Sequence, residues 1–551
     1  MFDPKRYPAR VLILFLLLIL PIIRLLLYHR YGFFYPEVFA AFLLVLGVSA
    51  VLAAIGRWPL LFHAEVVGLA VVLSFNAVQL DFAPTLQLRW IILCLLLLLI
   101  GALLILKSRF YPILAVFLFG SFAADIGKAA IQSINAAPRT SQASAGLHPN
   151  HVIHLVFDEM IGLGGLPEDC RSCVRARHML EKVFTRGNFR MYSNAFSNYR
   201  STQDSIPSIM NDRLLTRTGE HFPQTSARPY LRRNQEFSRH IQNGDAVRVY
   251  QSDYILYDTF PQVVARTYQL RSLRPLHQLP MSWLDRLGQI GIVYLQSDRS
   301  WWGILDRVFR SKPLPEALMV GPLSAQEVWP NRILADCRAA NRNTLFFAHL
   351  MLPHYPVLYR PDGSVRNLEE WRHQGDKLDF YEGDAAEYRQ RYEFYGEQVQ
   401  FVARELETFF DGLRASGLYD STTIIIHGDH GSRLRLLKEQ DRKERERLRV
   451  RTDYCPAVSR YDYVRDPELR DLLNRYSTLL VVKPAGASVP ETVTEKGSVL
   501  YFLRRASGAA IDPTEYKALN SVYLFNANGL PQAIPMLKFW EPNQEEKGLG
   551  E

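Results

Sequence analysis

Cysteine is scarce in this chain, with five among 551 residues, and a single C-x-x-C pair, Cys170 and Cys173. No second C-x-x-C and no thioredoxin-like neighbourhood accompanies it, so a small structural loop bridge is expected rather than a redox motif or half a metal site. A surplus of one charge is also missing where it would matter. The formal net charge is +9, but 11 of the 64 Lys and Arg and 5 of the 55 Asp and Glu precede His148, leaving 53 against 50 in the remainder. That balance gives no basic surface for nucleic acid, and the excess falls beside apolar segments, where it sets membrane topology. Charge of either sign is nearly absent from five long stretches of the first quarter.

Those stretches are Val11–Tyr28, Phe39–Ile55, Leu60–Leu80, Trp90–Leu106 and Phe110–Ala124. Each approaches the roughly 17–25 residues that cross a bilayer as a helix, and a cleaved signal peptide would explain only the first. Lys5, Arg6 and Arg10 precede the first stretch, Arg57 follows the second, and Lys107 and Arg109 follow the fourth. By the positive-inside rule the N-terminus is cytoplasmic, and an odd number of spans carries the rest across. The expected layout is a transmembrane helical domain over 1–130, a linker over 131–150 and a periplasmic or extracellular domain over 151–551. The location is the inner (cytoplasmic) membrane, multi-pass. Cys94 lies in an apolar stretch. Cys170, Cys173, Cys337 and Cys455 are exported, and an even number in an oxidising compartment permits two disulfides.

The chemistry concentrates where apolar runs stop. Thr422-Thr423-Ile424-Ile425-Ile426-His427-Gly428-Asp429-His430-Gly431 reads as a buried parallel strand ending in an acid and an imidazole. In open α/β sheets ligands sit beyond the carboxyl ends of strands, and Asp with His suits a zinc- or manganese-type ion. His151 to Phe157 has the same form and runs into Asp158 and Glu159. Two more strands are read at Ala246–Gln251 and Thr344–Ala348, the latter feeding a loop with His349 and His354. These histidines suit a second metal, proton donation to a leaving group, or phosphate contact. Hydroxyls cluster before Pro207 in Ser201-Thr202-Gln203-Asp204-Ser205-Ile206-Pro207, placing Thr202 or Ser201 at a helix N-terminus. There a helix dipole and a metal would both favour an alkoxide, although capping alone explains many such hydroxyls. Glu387–Leu413 has helical periodicity, and Ser477–Val482 reads as a last strand. Arg433–Arg451 is dense in both charges, a solvated face or an approach for anionic headgroups.

The order acid, hydroxyl, histidines, Asp-His resembles the alkaline phosphatase superfamily. It resembles in particular the membrane-anchored phosphoethanolamine and phosphoglycerol transferases related to lipid A phosphoethanolamine transferase and lipoteichoic acid synthase. The resemblance implies an N-terminal bundle of five transmembrane helices followed by an alkaline-phosphatase-like α/β domain with a mainly parallel central sheet. It implies Asp158, Asp429, His430 and Thr202 as metal ligands, zinc or possibly manganese as the ion, and Thr202 as the phosphorylated nucleophile. His349 and His354 match substrate-side or proton-donating histidines, with Glu159 and Arg433 near the substrate. The implied partners are a phospholipid donor, an envelope glycan or glycolipid acceptor and the membrane, with no nucleic acid.

Two departures stand out. No histidine follows His430, where the transferases have one, and Arg433 is the residue at hand to meet phosphate instead. The C/S-x-P-x-R context of formylglycine sulfatases is absent around Thr202, which argues against sulfate ester hydrolysis. A phosphodiesterase or phosphatase using water, and an inactive membrane-anchored binding module, are the remaining alternatives.

Overall fold

The computed structural model of the protein describes residues 7–55, 150–220, 231–296, 318–367, 385–432, 475–525 and 530–535, except 218, 232, 258–259 and 509, with the isolated positions 116, 120, 370 and 434. The third and fourth expected spans lie outside the described residues, as do the fifth apart from Val116 and Gly120, Cys94, Cys455, Arg433 and the charged stretch after it apart from Leu434. Contacts divide the chain into two units, residues 1–140 with 271–319, and residues 141–270 with 320–551.

In the first unit, helices α1 (Tyr7–Tyr28) and α2 (Pro36–Ile55) match the first two apolar runs, and both are long and apolar enough to cross a membrane. They pack along one another, burying Leu14, Leu17 and Leu26 of α1 and Ala41 and Ala53 of α2.

The second unit is an α/β domain around an eight-stranded sheet. Its strands are β1 (Val152–Phe157), β2 (Arg190–Phe196), β3 (Ala246–Ser252), β4 (Val263–Tyr268), β5 (Thr344–Leu350), β6 (Thr423–Gly428), β7 (Leu480–Lys483) and β8 (Glu491–Ser498). They lie in the order β4-β3-β5-β1-β6-β7-β2-β8. All neighbours are parallel except β7, which runs against β6 and β2. β1, β5 and β6 occupy the centre because their side chains are apolar on both faces, as a sheet covered by helices on both sides demands. Every residue of β5 is buried.

Helices α3 (Arg171–Arg186), α4 (Thr202–Met210), α5 (Gln235–Gln242), α7 (Gly321–Val328), α8 (Asn331–Ala339), α9 (Ala385–Ala415), α10 (Val499–Ala506) and α11 (Pro513–Leu519) are the helices described in this unit, α6 (Trp283–Gln296) belonging to the first. α3 and α9 pack together closely at Gly396, where a Cβ would come within 2.6 Å of the Cys173 nitrogen. Cys170 and Cys173 are disulfide-bonded at the start of α3, as the spacing leads one to expect.

Two expectations are corrected. Ser477–Val482 is not the last strand: β7 spans Leu480–Lys483, and β8, β9 (Ser521–Phe525) and β10 (Pro531–Pro535) follow it. A second bridge is not formed by Cys337, which is a free buried thiol on α8.

One buried group makes this unit acid-sensitive. His151 stands edge-on to Phe346 and is 1% exposed; burial, with the Arg248 guanidinium nearby, lowers its pKa from 6.5 to about 4. The folded state therefore excludes a proton that the unfolded chain accepts. Its contribution to stability is full above pH 6.5 and is lost as pH falls towards 4, on the order of 3 kcal/mol. Unfolding midpoints in detergent at pH 7.5 and pH 5 should differ more for the native chain than for His151→Phe. Equal differences would remove His151 as a source of acid sensitivity.

Candidate metal centre

The parallel register sets the site. Phe157, Leu350 and Gly428 are paired across the ends of β1, β5 and β6, so the residues that follow or immediately precede them gather at one sheet edge. Asp158, His349, Asp429 and His430 come together there, each no more than 1% exposed. β2 points the same way, and its exit loop delivers Thr202 to the first turn of α4. Ser201, extended at φ −126°, precedes that turn and its hydroxyl donates to Asp204 Oδ2 at 2.7 Å.

Thr202 Oγ1 lies 3.4 Å from Asp158 Oδ2 and 3.4 Å from His430 Nε2. One ligand atom each from Asp158, Asp429 and His430 falls within 4.8 Å of the others. His430 Nδ1 lies 2.5 Å from Gly431 O, an atom that can only accept. That nitrogen therefore carries the proton, and the Nε2 lone pair is left for the cluster. His430 Nε2 is 3.2 Å from Asp429 Oδ2.

The backbone around Asp429 is held tightly. Its Oδ1 accepts the Glu159 N–H at 2.9 Å and the His430 N–H at 2.8 Å, and the Ser205 hydroxyl donates to its carbonyl. Gly428 has to be glycine, since a Cβ there would sit 2.2 Å from Thr478 Oγ1 and 2.5 Å from Met160 O. Glu159 adopts φ +60°, a left-handed conformation uncommon outside glycine. Tyr395 of α9 fixes that turn by donating its hydroxyl to Glu159 O and accepting the Ile161 N–H, both at 2.8 Å. Strained backbone of this kind persists only where its surroundings over-determine it, and it gathers at functional sites.

Electrostatics separate the two carboxyl groups. Burial alone would raise both. At Asp158 the neighbouring imidazoles of His354, His349 and His430, with the hydrogen bond from His349, outweigh burial and hold it well below the usual carboxylate range. At Asp429 burial and repulsion from Asp158 push the pKa up. Asp158 Oδ1 and Asp429 Oδ2 are buried and accept no hydrogen bond. Two buried carboxylate oxygens without donors, with an imidazole lone pair beside them, are a donor set for a divalent cation of the zinc type. Asp158, Asp429 and His430 therefore fit a metal ion.

His349 Nε2 is 3.2 Å from Asp158 Oδ2, and its Nδ1 is 3.3 Å from the Tyr257 hydroxyl. His354 is half-buried, with Nε2 3.9 Å from Glu159 Oε1, and these two form a second group with Asp158 that could hold a cation. Thus seven of the eight expected site residues come together, and the eighth, Arg433, lies outside the described residues.

Sequence reading did not find Tyr395, Tyr257 or Ser205 as neighbours of the site. No local pattern marks one of 27 tyrosines as the brace of a strand-end turn. Behind the site, His154 Nδ1 meets Glu236 Oε1 at 2.7 Å and His154 Nε2 meets His427 Nε2 at 2.8 Å, while His427 Nδ1 donates to Gly428 O at 2.8 Å.

This sheet, with acids, a hydroxyl and imidazoles gathered at the carboxyl ends of its strands, defines an α/β enzyme of the alkaline phosphatase type. The Sulfatase family model matches residues 169–454, more than half of the chain, and includes Thr202, His349, His354, Asp429 and His430. The chain belongs to the sulfatase family and is an enzyme of the alkaline phosphatase superfamily. Solved structures similar to it include the C-terminal periplasmic domain of EcEptC from Escherichia coli in complex with Zn, at 12% identity and TM-score 0.37, covering 73% of this chain and 97% of that one. The lipoteichoic acid synthase LtaP from Listeria monocytogenes is 10% identical, with TM-score 0.36 and coverage of 73% and 92%. The phosphonate monoester hydrolase of Agrobacterium radiobacter is 12% identical, with TM-score 0.35 and coverage of 68% and 80%. No curated protein matches the chain.

Proposed function

We propose that the protein is a membrane-anchored phosphotransferase that moves a phospholipid headgroup, phosphoethanolamine or phosphoglycerol, to an envelope glycan or glycolipid through a phosphothreonine at Thr202. The observation that carries this reading is the placement of Thr202 Oγ1 at 3.4 Å from both Asp158 Oδ2 and His430 Nε2, at the first residue of a helix. A hydroxyl so placed, beside carboxylate oxygens that lack donors, fits nucleophilic attack at a charged centre better than it fits a helix cap.

Asp158, Asp429, His430 and Thr202 would hold the ion, with zinc favoured by the Asp-His donor set and manganese the alternative. Bound there, the ion would lower the pKa of the Thr202 hydroxyl and offset the charge on the phosphoryl oxygens. In the first half-reaction Thr202 Oγ1, having lost its proton, bonds to the donor phosphorus. The bond from phosphorus to the diacylglycerol oxygen breaks, and a histidine gives that oxygen a proton. In the second, an acceptor hydroxyl bonds to the same phosphorus, its proton returns to the histidine, and the Thr202 oxygen leaves. His354 suits the proton role, since it is only half-buried, whereas His349 is enclosed between Asp158 and Tyr257 and suits the holding of Asp158. Glu159 stands with His354 on the substrate side, and Arg433 is assigned to phosphate by sequence alone.

The apolar helices α1 and α2 support a bilayer-borne donor and an enzyme anchored in the inner membrane with its catalytic unit outside. A C/S-x-P-x-R context is lacking, which disfavours sulfate esters. Vesicles containing headgroup-labelled phosphatidylethanolamine or phosphatidylglycerol, incubated with and without a glycan acceptor, test the reading. Label should move to the acceptor with release of diacylglycerol. Label released to water at the same rate with or without acceptor would make the protein a hydrolase instead.

A further inference from the structure

Helix α6 (Trp283–Gln296) leaves apolar side chains exposed, Trp283 and Leu284 among them. It lies in residues 271–319, which group with the N-terminal helices although they are flanked on both sides by the catalytic unit. The ends of this excursion are closed within the catalytic unit, where the Val320 N–H donates to Leu270 O at 2.7 Å.

Three contacts tie the segment to the turn between α1 and α2. The Leu273 N–H reaches His29 Nδ1 at 3.4 Å, and the His277 ring stacks on Tyr35 with centroids 6.0 Å apart. Arg286 Nε lies 3.1 Å from Glu37 Oε1, and Glu37 also accepts the Tyr31 hydroxyl. Glu37 is fully buried in the first turn of an otherwise uncharged helix, so it requires that counter-charge. α6 then packs on α2.

Ser282 caps the first turn of α6, accepting the Asp285 N–H at 3.1 Å. After Arg286 no charged residue occurs through Gln296. Gln289, Ile290 and Val293 face inward. The opposite side presents Leu284, 62% exposed, followed at helical spacing by Gly288 and Gly291, around which a Cβ would meet nothing within 4 Å, and Trp283 at the start of the helix is 47% exposed. The neighbouring α2 exposes Phe39, Leu43, Leu44, Val48, Val51 and Ile55. Both helices thus leave several large apolar side chains exposed, as at surfaces that meet lipid or another protein.

We propose that α6 is embedded in the outer-leaflet interface of the bilayer, as a lipid-contacting element inserted from the catalytic unit. This rests on the reading that α1 and α2 cross the membrane. With 14 residues, α6 would be about 21 Å long, too short for a hydrocarbon core of about 30 Å, so it lies in the surface rather than spanning it. Exposed Leu284 and Trp283 at the start of the helix, with the Arg286 cation paired to Glu37, fit the boundary between headgroups and acyl chains.

The full-length protein is tested in phosphatidylethanolamine/phosphatidylglycerol vesicles. In a background with Cys94, Cys337 and Cys455 replaced and the Cys170–Cys173 bridge kept, nitroxides are placed at Leu284→Cys, Leu44→Cys and Val489→Cys. The label at 284 should share with 44 a high accessibility to oxygen and a low one to a water-soluble nickel complex, with 489 showing the reverse. A label at 284 that behaves like 489 while 44 stays in lipid overturns the proposal and leaves the membrane reading standing. Aqueous behaviour at both 284 and 44 overturns both. As a functional arm, Leu284→Glu should raise KM for vesicle-borne donor roughly fivefold to tenfold and leave turnover of a soluble short-chain diester unchanged. Equal loss on both donors counts against α6 as a lipid contact.

Discussion

Replacing Thr202 with alanine should lower turnover by on the order of 10⁴-fold or more, while bound metal is largely retained. The expected loss is large because Thr202 supplies the atom that forms the covalent bond, and among the described residues the neighbouring hydroxyls are engaged elsewhere. Ser201 donates to Asp204, and Ser205 is turned to the Asp429 carbonyl. Metal should survive because Asp158, Asp429 and His430 remain, with Asp429 held by the backbone N–H groups of Glu159 and His430. The fold should survive as well, since the Thr202 hydroxyl meets Asp158 and His430 at a long 3.4 Å. Thr202→Ser keeps the oxygen and should recover a measurable part of the rate. Kinetics with labelled donor and metal content by plasma spectrometry check both statements, and turnover retained in the alanine variant would remove Thr202 from the nucleophile role.

Asp429→Asn should weaken metal binding by more than about a hundredfold and abolish activity with it. The amide oxygen can still accept the Glu159 and His430 N–H groups, so local structure is kept while the charge is lost. The variant should also invert a stability order. Without metal, the native chain buries two carboxyl groups side by side, and Asp158 raises the pKa of Asp429. Removing one charge relieves that repulsion, so metal-free Asp429→Asn should melt above the metal-free native protein. Adding metal should raise the melting temperature of the native protein and leave the variant unmoved. pH works in the same sense. Asp429 has to lose its proton to bind a cation, so apparent metal affinity should fall as pH is lowered, with a proton released on binding. Calorimetric titrations in buffers of different ionisation enthalpy measure that proton.

The centre of this molecule was legible because its physics is local. β1, β5 and β6 are apolar on both faces, and each run stops at an acid or a histidine, so Asp158, His349 and Asp429-His430 could be placed at strand ends from the chain alone. The hydroxyl-rich start and Pro207 marked α4. Parallel pairing then does the rest, since it brings equivalent strand ends to one edge.

The periphery was less legible for reasons equally physical. β8, Glu491–Ser498, is an edge strand with five of its first six residues polar or charged, so it lacks the alternation that marks a half-buried strand. β9 and β10 form a separate two-stranded ribbon. The braces of the site, Tyr395 and Tyr257, act over 236 and 92 residues of separation, where no spacing rule reaches. Cys337 reads as half of a bridge in sequence, yet it is buried on α8 as a small apolar side chain. The attachment of residues 271–296 to the first two helices depends on Glu37 meeting Arg286 across 249 positions.

Mass spectrometry of the protein quenched during turnover with headgroup-labelled phospholipid addresses the claim on which the rest depends. The tryptic peptide Ser201–Arg213 should gain the mass of the phosphorylated headgroup, with fragmentation placing it on Thr202 and the gain disappearing when acceptor is added. The same peptide unmodified in a protein that is turning over, or an adduct on another side chain, would contradict the account.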